Sequence, residues 1–189
     1  MRIAADVMGG DGGCAVIIDG LLRALGDHDQ IRTLYLVGDE DAITPALGQA
    51  GDLAPRIEVV HSPEVLSMED KPVEGLRRKK NCSVAMAMDL VKQGQADAIL
   101  SAGNTGGLVA AASIKLRTLP GVDRPGIAAV MPTKVGNFVL LDAGANVEGK
   151  PRHLMHYAIM GDIYAREVLG KPKPRVGLLS VGTEEAKGN

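Results

Sequence analysis

Four short stretches of this sequence place glycine beside hydrogen-bonding side chains at spacings that suit anion chemistry. They are Asp6 to Gly13 (DVMGGDGG), Ser101 to Gly107 (SAGNTGG), Asp142 to Asn146 (DAGAN) and Ser180 to Asn189 (SVGTEEAKGN). In the second, Gly103, Gly106 and Gly107 let backbone N–H groups approach a ligand, while Ser101, Asn104 and Thr105 add side-chain donors. A turn of this kind opening a helix offers unpaired N–H groups and the positive end of the helix dipole to an anion. The same residues also suit a plain turn in which Thr105 caps the helix and the glycines fit packing, and spacing leaves both readings open. Asp142 and Asn146 either orient a substrate or cap the helix that follows. Lys187, flanked by glycine, either balances an anionic charge or stands in solvent.

The first stretch also satisfies G-x-G-x-x-A through Gly10, Gly12 and Ala15, with Asp39 where a ribose-binding acid would follow. Asp11 inside that loop sets a carboxylate against a pyrophosphate, a like-charge contact that weighs against a dinucleotide. A tight turn without any ligand remains the alternative. Cys14 opens a helix, where a thiolate is favoured and an acyl-enzyme is conceivable. His61, His153 and His156 have no metal-ligand or triad context, and the chain has no G-x-S-x-G, Walker A or zinc pattern, so no metal and no cofactor are expected. The run Arg77-Arg78-Lys79-Lys80 reads as a solvated helix face or a docking patch for an acidic partner.

The elements that must carry these turns follow from periodicity. Arg2 to Val7 predicts a strand, and Ile18, Leu21, Leu22 and Leu25 one helix stripe closing at Gly26. Leu34 to Val37 predicts a strand, Asp39 to Ala50 a helix containing Pro45, and Ile57 to Val60 a strand. The segment His61 to Cys82 is a connection with a short helix; Ser83 caps a helix ending at Gly94. Ala98 to Ser101 is a strand, Thr105 to Leu116 a helix, and Ile127 to Met131 and Phe138 to Asp142 strands with no helix between them. A helix from about Arg152 to Val168, with Leu154, Ala158, Gly161, Ala165 and Val168 on one face, precedes a strand at Val176 to Ser180. Strands alternating with helices imply an α/β fold, a mostly parallel sheet with helices on both faces, with ligands beyond the carboxyl ends of the strands.

Composition narrows the function classes. The 189 residues carry a net charge of −2, which lacks the basic footprint of duplex binding. Aromatic residues at 2%, with no Trp, leave little for stacking on single-stranded nucleic acid. Hydrophobic residues at 46% allow a sizeable core. Two isolated cysteines and no signal-peptide or membrane-spanning run point to a cytoplasmic location.

Taken together, Asp6-Val7-Met8-Gly9-Gly10-Asp11, Ser101-Ala102-Gly103-Asn104-Thr105-Gly106, Leu141-Asp142-Ala143-Gly144-Ala145-Asn146 and Lys187-Gly188-Asn189 resemble the PlsX-type phosphate acyltransferases. Asp70-Lys71-Pro72, Leu76 to Lys80, Leu119 to Pro125 and Met160 to Ala165 are similar as well. Cys14 stands where the family usually has Pro, which removes it as a nucleophile, and Ser180-Val181-Gly182-Thr183-Glu184 departs from the family's usual Asn-Ile-Gly-Glu-Glu.

The resemblance implies transfer of a fatty acyl group from acyl-acyl-carrier-protein to inorganic phosphate for phospholipid synthesis. It implies a Rossmann-like sheet related to isocitrate and isopropylmalate dehydrogenases and to phosphotransacetylases. A homodimer, peripheral membrane association and a membrane-bound glycerol-3-phosphate acyltransferase downstream are also implied. On this reading Asn104 donates to phosphate or the oxyanion, Lys187 supplies positive charge and Asp11 fixes neighbouring donors. Gly9, Gly10, Ser101, Gly103, Thr105, Gly106, Asp142 and Asn146 hold substrate, and Arg77, Arg78 and Lys79 dock the carrier protein. A nicotinamide-dependent dehydrogenase and a non-catalytic binding fragment are the alternatives. Residues 1–189 are expected to be the N-terminal part of one α/β acyltransferase domain, inactive and poorly soluble alone.

Overall fold

The computed structural model describes residues 1–146 and 148–179, and the chain forms two compact units, Met1–Arg117 and Thr118–Asn189. In the first unit the strands are β1 (Arg2–Asp6), β2 (Thr33–Gly38), β3 (Ile57–His61) and β4 (Ala98–Ser101). The helices are α1 (Gly13–Asp27), α2 (Glu40–Ala46), α3 (Pro72–Arg78), α4 (Ser83–Lys92) and α5 (Thr105–Lys115). The strands form one parallel sheet in the order β3-β2-β1-β4.

Alternation along β1 and β2 builds two cores. Ala5, Leu34 and Leu36 face α1 and α2, where Ile18, Leu21, Leu22, Leu25 and Ile43 bury against them. Ala4 and Val37 face the other way, onto Ala87 and Leu90 of α4. Period-two strands with an apolar residue on each face are what a sheet covered on both sides requires. A third cluster of Leu66, Leu76, Val84, Met88 and Ala111 joins α3, α4 and α5.

Three boundaries differ from expectation. α2 stops at Ala46 and passes into two 3₁₀ segments, Leu47–Gln49 and Gly51–Arg56. Pro45, Gly48, Gly51 and Pro55 over eleven residues deny a regular helix its donors and its stiffness. α4 is capped by extended Cys82 rather than by Ser83, which is already helical and buried. A bridge between Glu64 and Cys82 sets the entry, with the Ser83 N–H donating to the Glu64 carbonyl. α5 is capped by Asn104 rather than Thr105.

In the second unit β5 (Ala129–Thr133) and β6 (Gly136–Leu140) form an antiparallel hairpin. The expected strands at Ile127 to Met131 and Phe138 to Asp142 thus each lie two residues nearer the turn and pair with each other antiparallel instead of joining a parallel sheet. Only Lys134 and Val135 separate Thr133 from Gly136, and a two-residue link permits a hairpin but no parallel crossover. α6 (Pro151–Glu167) buries His153, Tyr157 and Ala165, whereas Leu154 and Val168 of the expected stripe are 39% and 61% exposed. Residues 176–179 form no strand, and Val176, Leu178 and Leu179 are exposed. An apolar run becomes a strand only when a neighbour completes its ladder. Ser180, the last residue of that expected strand, lies outside the described residues.

Candidate functional site

The chain runs outward from β1 through β2 to β3 and then crosses back to place β4 on the opposite side of β1. Strand order therefore reverses between β1 and β4, and the crevice outside their carboxyl ends is the ligand position of an open α/β sheet. The residues following these strands are Asp6 to Gly13 and Ser101 to Gly107, two of the stretches that sequence singles out.

Register then brings the side chains together. Asp6 lies opposite Ser101 in the β1–β4 ladder, and the Ser101 hydroxyl donates to Asp6 Oδ2 at 2.7 Å. Ser101 Oγ in turn accepts the Gly103 N–H at 3.2 Å, and Asp6 Oδ1 accepts the Met8 N–H at 3.2 Å. Asp6 is only 3% exposed, so these donors are what make its burial tolerable. A Cβ on Gly9 would fall 2.5 Å from the Gly103 Cα. The two glycines mark the point where one turn crosses the other, too close for any side chain. Sequence reading did not single out Asp6 as a site residue; its signal is a lone acid closing the apolar run Ile3-Ala4-Ala5.

At the start of α5, Asn104 Oδ1 accepts the Gly107 N–H at 2.8 Å. Its Nδ2 donates to the carbonyls of Ser67 at 3.0 Å and Asp70 at 3.1 Å. A primary amide has two N–H donors. Both are engaged by these two carbonyls in this structure. The donors left over are backbone ones. The N–H groups of Thr105 and Gly106 have no intrahelical acceptor, as the first turn of a helix dictates, and no acceptor among the described residues.

Gly10 adopts φ +98° beside Ala102, and Asp11 is exposed. Burial, followed by the charge of Asp39, pushes the Cys14 thiol up, opposite to an activated nucleophile. Asp39 itself caps α2, accepting the Asp41 N–H at 3.2 Å. In the basic run, Lys79 Nζ and Arg78 Nη2 reach Asp70 at 2.5 and 3.0 Å. Among the described residues Arg77 and Lys80 make no ion pair, and both are exposed. Glu69 and Glu74 line the same surface depression as Arg77 and Arg78, so this face is of mixed charge rather than uniformly basic.

In the second unit Asp142 folds its own turn. Oδ1 accepts the N–H groups of Ile127 at 2.8 Å and Ala145 at 3.0 Å, and Oδ2 accepts from the Asn146 backbone at 2.8 Å and side chain at 3.0 Å. Burial pushes the Asp142 carboxyl up, but these hydrogen bonds outweigh it and hold the group below its usual range. The Asn146 amide also reaches the Pro125 carbonyl and the Tyr157 hydroxyl, both at 2.9 Å. Burial and the neighbouring Asp142 push the Tyr157 phenol up. Among the described residues no group of three or more His, Cys, Asp or Glu is arranged to hold a metal ion. Lys187 and the rest of the Ser180 to Asn189 stretch lie outside the described residues.

The parallel sheet and its switch-point turns define an α/β protein with helices packed against the sheet. The fold is similar to that of the EutD phosphotransacetylase from Staphylococcus aureus, with a TM-score of 0.61 at 21% identity over 87% of this chain and 52% of that one. The chain belongs to the family described as fatty acid synthesis protein, whose profile matches residues 1–189. It is 47% identical over 188 residues to a phosphate acyltransferase of Akkermansia muciniphila, covering all of this chain and 54% of the relative. It is also 46% identical over 190 residues to the phosphate acyltransferase of Bacillus subtilis (strain 168), covering 56% of it. The chain spans about half the length of the curated relatives it matches. Among the described residues no helix is long and apolar enough to cross a membrane.

Proposed function

We propose that this chain serves a phosphate acyltransferase, moving a fatty acyl group from acyl-acyl-carrier-protein to inorganic phosphate and yielding an acyl phosphate for phospholipid synthesis. The observation that carries this reading is the pair of unengaged N–H groups of Thr105 and Gly106 at the β1–β4 switch point. Phosphate is mostly a dianion at neutral pH and needs no triad to become a nucleophile. Its oxygen attacks the thioester carbonyl, a tetrahedral oxyanion forms, and the carbon–sulfur bond breaks to release the pantetheine thiol. The protein's task is to hold the reactants in attacking geometry, worth about 7–11 kcal/mol in the best intramolecular cases.

In this scheme Thr105 and Gly106 bind phosphate through their N–H groups. Gly9, Gly10 and Gly103 allow the close approach, and Ser101 is fixed by Asp6. Lys187 supplies compensating charge, and Asp11 orders the first turn. Asp142 and Asn146 act as a rigid substrate-binding turn in their own unit. Arg77, Arg78 and Lys79 dock the acidic carrier protein. The identity with phosphate acyltransferases along the whole chain supports these assignments. The same kinship supports a homodimer in the cytoplasm, peripheral contact with membranes, delivery to a membrane-bound glycerol-3-phosphate acyltransferase, one domain spanning both units, and a deeper relation to isocitrate and isopropylmalate dehydrogenases.

The test is phosphate-dependent loss of acyl-acyl-carrier-protein by the whole protein, with acyl-coenzyme A and NAD run alongside. Acyl phosphate formation is expected. Hydride transfer to NAD without acyl transfer would establish the dehydrogenase alternative, and binding without turnover the non-catalytic one.

A further inference from the structure

The motif Asp70-Lys71-Pro72 has no part in the scheme above, yet it lies where the start of α5 is held. Leu66, buried in the cluster between α3 and α5, reaches so close that a Cβ on Gly107 would overlap its Cδ2. The segment that follows is closed on itself by Asp70. Its Oδ2 accepts the Ser67 N–H at 2.9 Å, the Ser67 hydroxyl at 3.1 Å and Lys79 Nζ at 2.5 Å, while Oδ1 takes Arg78. The Asp70 side chain is 10% exposed.

Closing the segment this way sets the Ser67 and Asp70 carbonyls side by side, where together they take both protons of the Asn104 amide. The remaining amide atom, Oδ1, caps Gly107. An amide gripped through both N–H donors and through its oxygen cannot turn. The direction of the first turn of α5 is therefore fixed from outside the helix, by a segment whose shape depends on one carboxylate.

We propose that Asp70 is a positioning residue for phosphate capture, shaping residues 66–72 into a brace that holds Asn104 and, through it, aims the Thr105 and Gly106 N–H groups. The inference rests on the reading of that turn as the phosphate site. Asp70 touches no phosphate; Lys79 and Arg78 neutralise it, so its charge does not oppose an anion at the turn.

The experiment compares wild type, Asp70→Ala and Asp70→Asn in the whole protein by calorimetric titration with inorganic phosphate, steady-state kinetics and amide exchange. Asp70→Ala is expected to raise the Kd and KM for phosphate about tenfold, as a displaced binding group would. Exchange of the Gly107 N–H is expected to quicken, with β1 and β2 amides unaffected. Asp70→Asn keeps an oxygen for the Ser67 N–H but loses both cations, so a loss of about threefold is expected. Wild-type phosphate affinity in a folded Asp70→Ala, whatever its melting temperature, overturns the inference. Should that variant not fold, an Asp70→Asn protein matching wild type in both phosphate affinity and Gly107 exchange does the same. A wild-type protein that binds no phosphate removes the reading of the turn and this inference with it, whereas wild-type binding unaltered by either substitution removes the inference alone.

Discussion

A primary amide has one acceptor and two donors, and at Asn104 all three are engaged by protein groups. Replacement by Ala removes a helix cap and leaves two carbonyls to find water, so Asn104→Ala should cost about 1 kcal/mol or more of unfolding free energy in urea. Asn104→Asp separates the two roles. It keeps the cap, strengthened by charge at a helix N-terminus, but sets a carboxylate against two carbonyls. Its urea midpoint should stay near that of wild type while phosphate affinity falls. Equal affinity in the two proteins would show that the carbonyl contacts do not matter. Asp70 gives a pH signature. Lys79, then the Ser67 N–H, hold its carboxyl down to about 2, against about 3.9 in an unfolded chain. A depressed carboxyl stabilises the fold fully above the unfolded value, and the effect is lost as pH falls through the folded one. The difference in urea midpoint between wild type and Asp70→Asn should thus hold steady above about pH 5 and shrink between about pH 4 and about pH 2. A difference constant throughout that interval would mean that the carboxylate is not charge-stabilised in the fold.

Among the elements, glycine has opposite values in α1 and in the crossing turns. Gly20 is exposed in the middle of α1, and a Cβ there meets nothing within 4 Å. Gly20→Ala should stabilise the protein by about 0.5–1 kcal/mol through helix propensity. Gly103→Ala drives a methyl to 2.9 Å from the Gly9 backbone and should destabilise by about 1–3 kcal/mol; paired thermal melts compare the two directly. The first unit was largely legible in sequence because its signals are local. Ile18, Leu21, Leu22 and Leu25 declare a stripe, and β1 to β4 each end in a polar or glycine residue within one position of the observed boundary. Asp6 was missed because its partner Ser101 is 95 residues away, a pairing that only register reveals. The partners of the Asn104 amide are hidden for the same reason: its acceptors, 34 and 37 residues earlier, sit in a segment with no periodic pattern. In the second unit apolar residues are numerous but many remain exposed, among them Met155, Ile159 and Ile163 of α6. Hydrophobicity there marks faces without saying what they meet.

At the scale of the molecule, the first unit contains three hydrophobic clusters built entirely from its own residues. Residues 1–117 expressed alone should therefore unfold cooperatively in urea, with fluorescence-independent probes such as far-ultraviolet dichroism and amide exchange giving one midpoint. Separate midpoints would show that the sheet needs more than these residues. The proposed docking of an acidic carrier protein would act at longer range. Arg77→Glu combined with Lys80→Glu should slow its association most at low salt, and stopped-flow rates insensitive to ionic strength in wild type would exclude the patch.

Arg78 and Lys79 are pinned to the Asp70 carboxylate, and the same carboxylate shapes the brace on Asn104. Under the proposed docking, a carrier protein that draws those two cations to its own acidic residues must take them from Asp70. The two ligands are then thermodynamically linked, and linkage is reciprocal: whatever factor the docked carrier costs phosphate in affinity, bound phosphate costs the carrier in return. Carrier titrations at rising phosphate concentration should show a weakening that saturates once phosphate is bound, and that vanishes in Asp70→Asn.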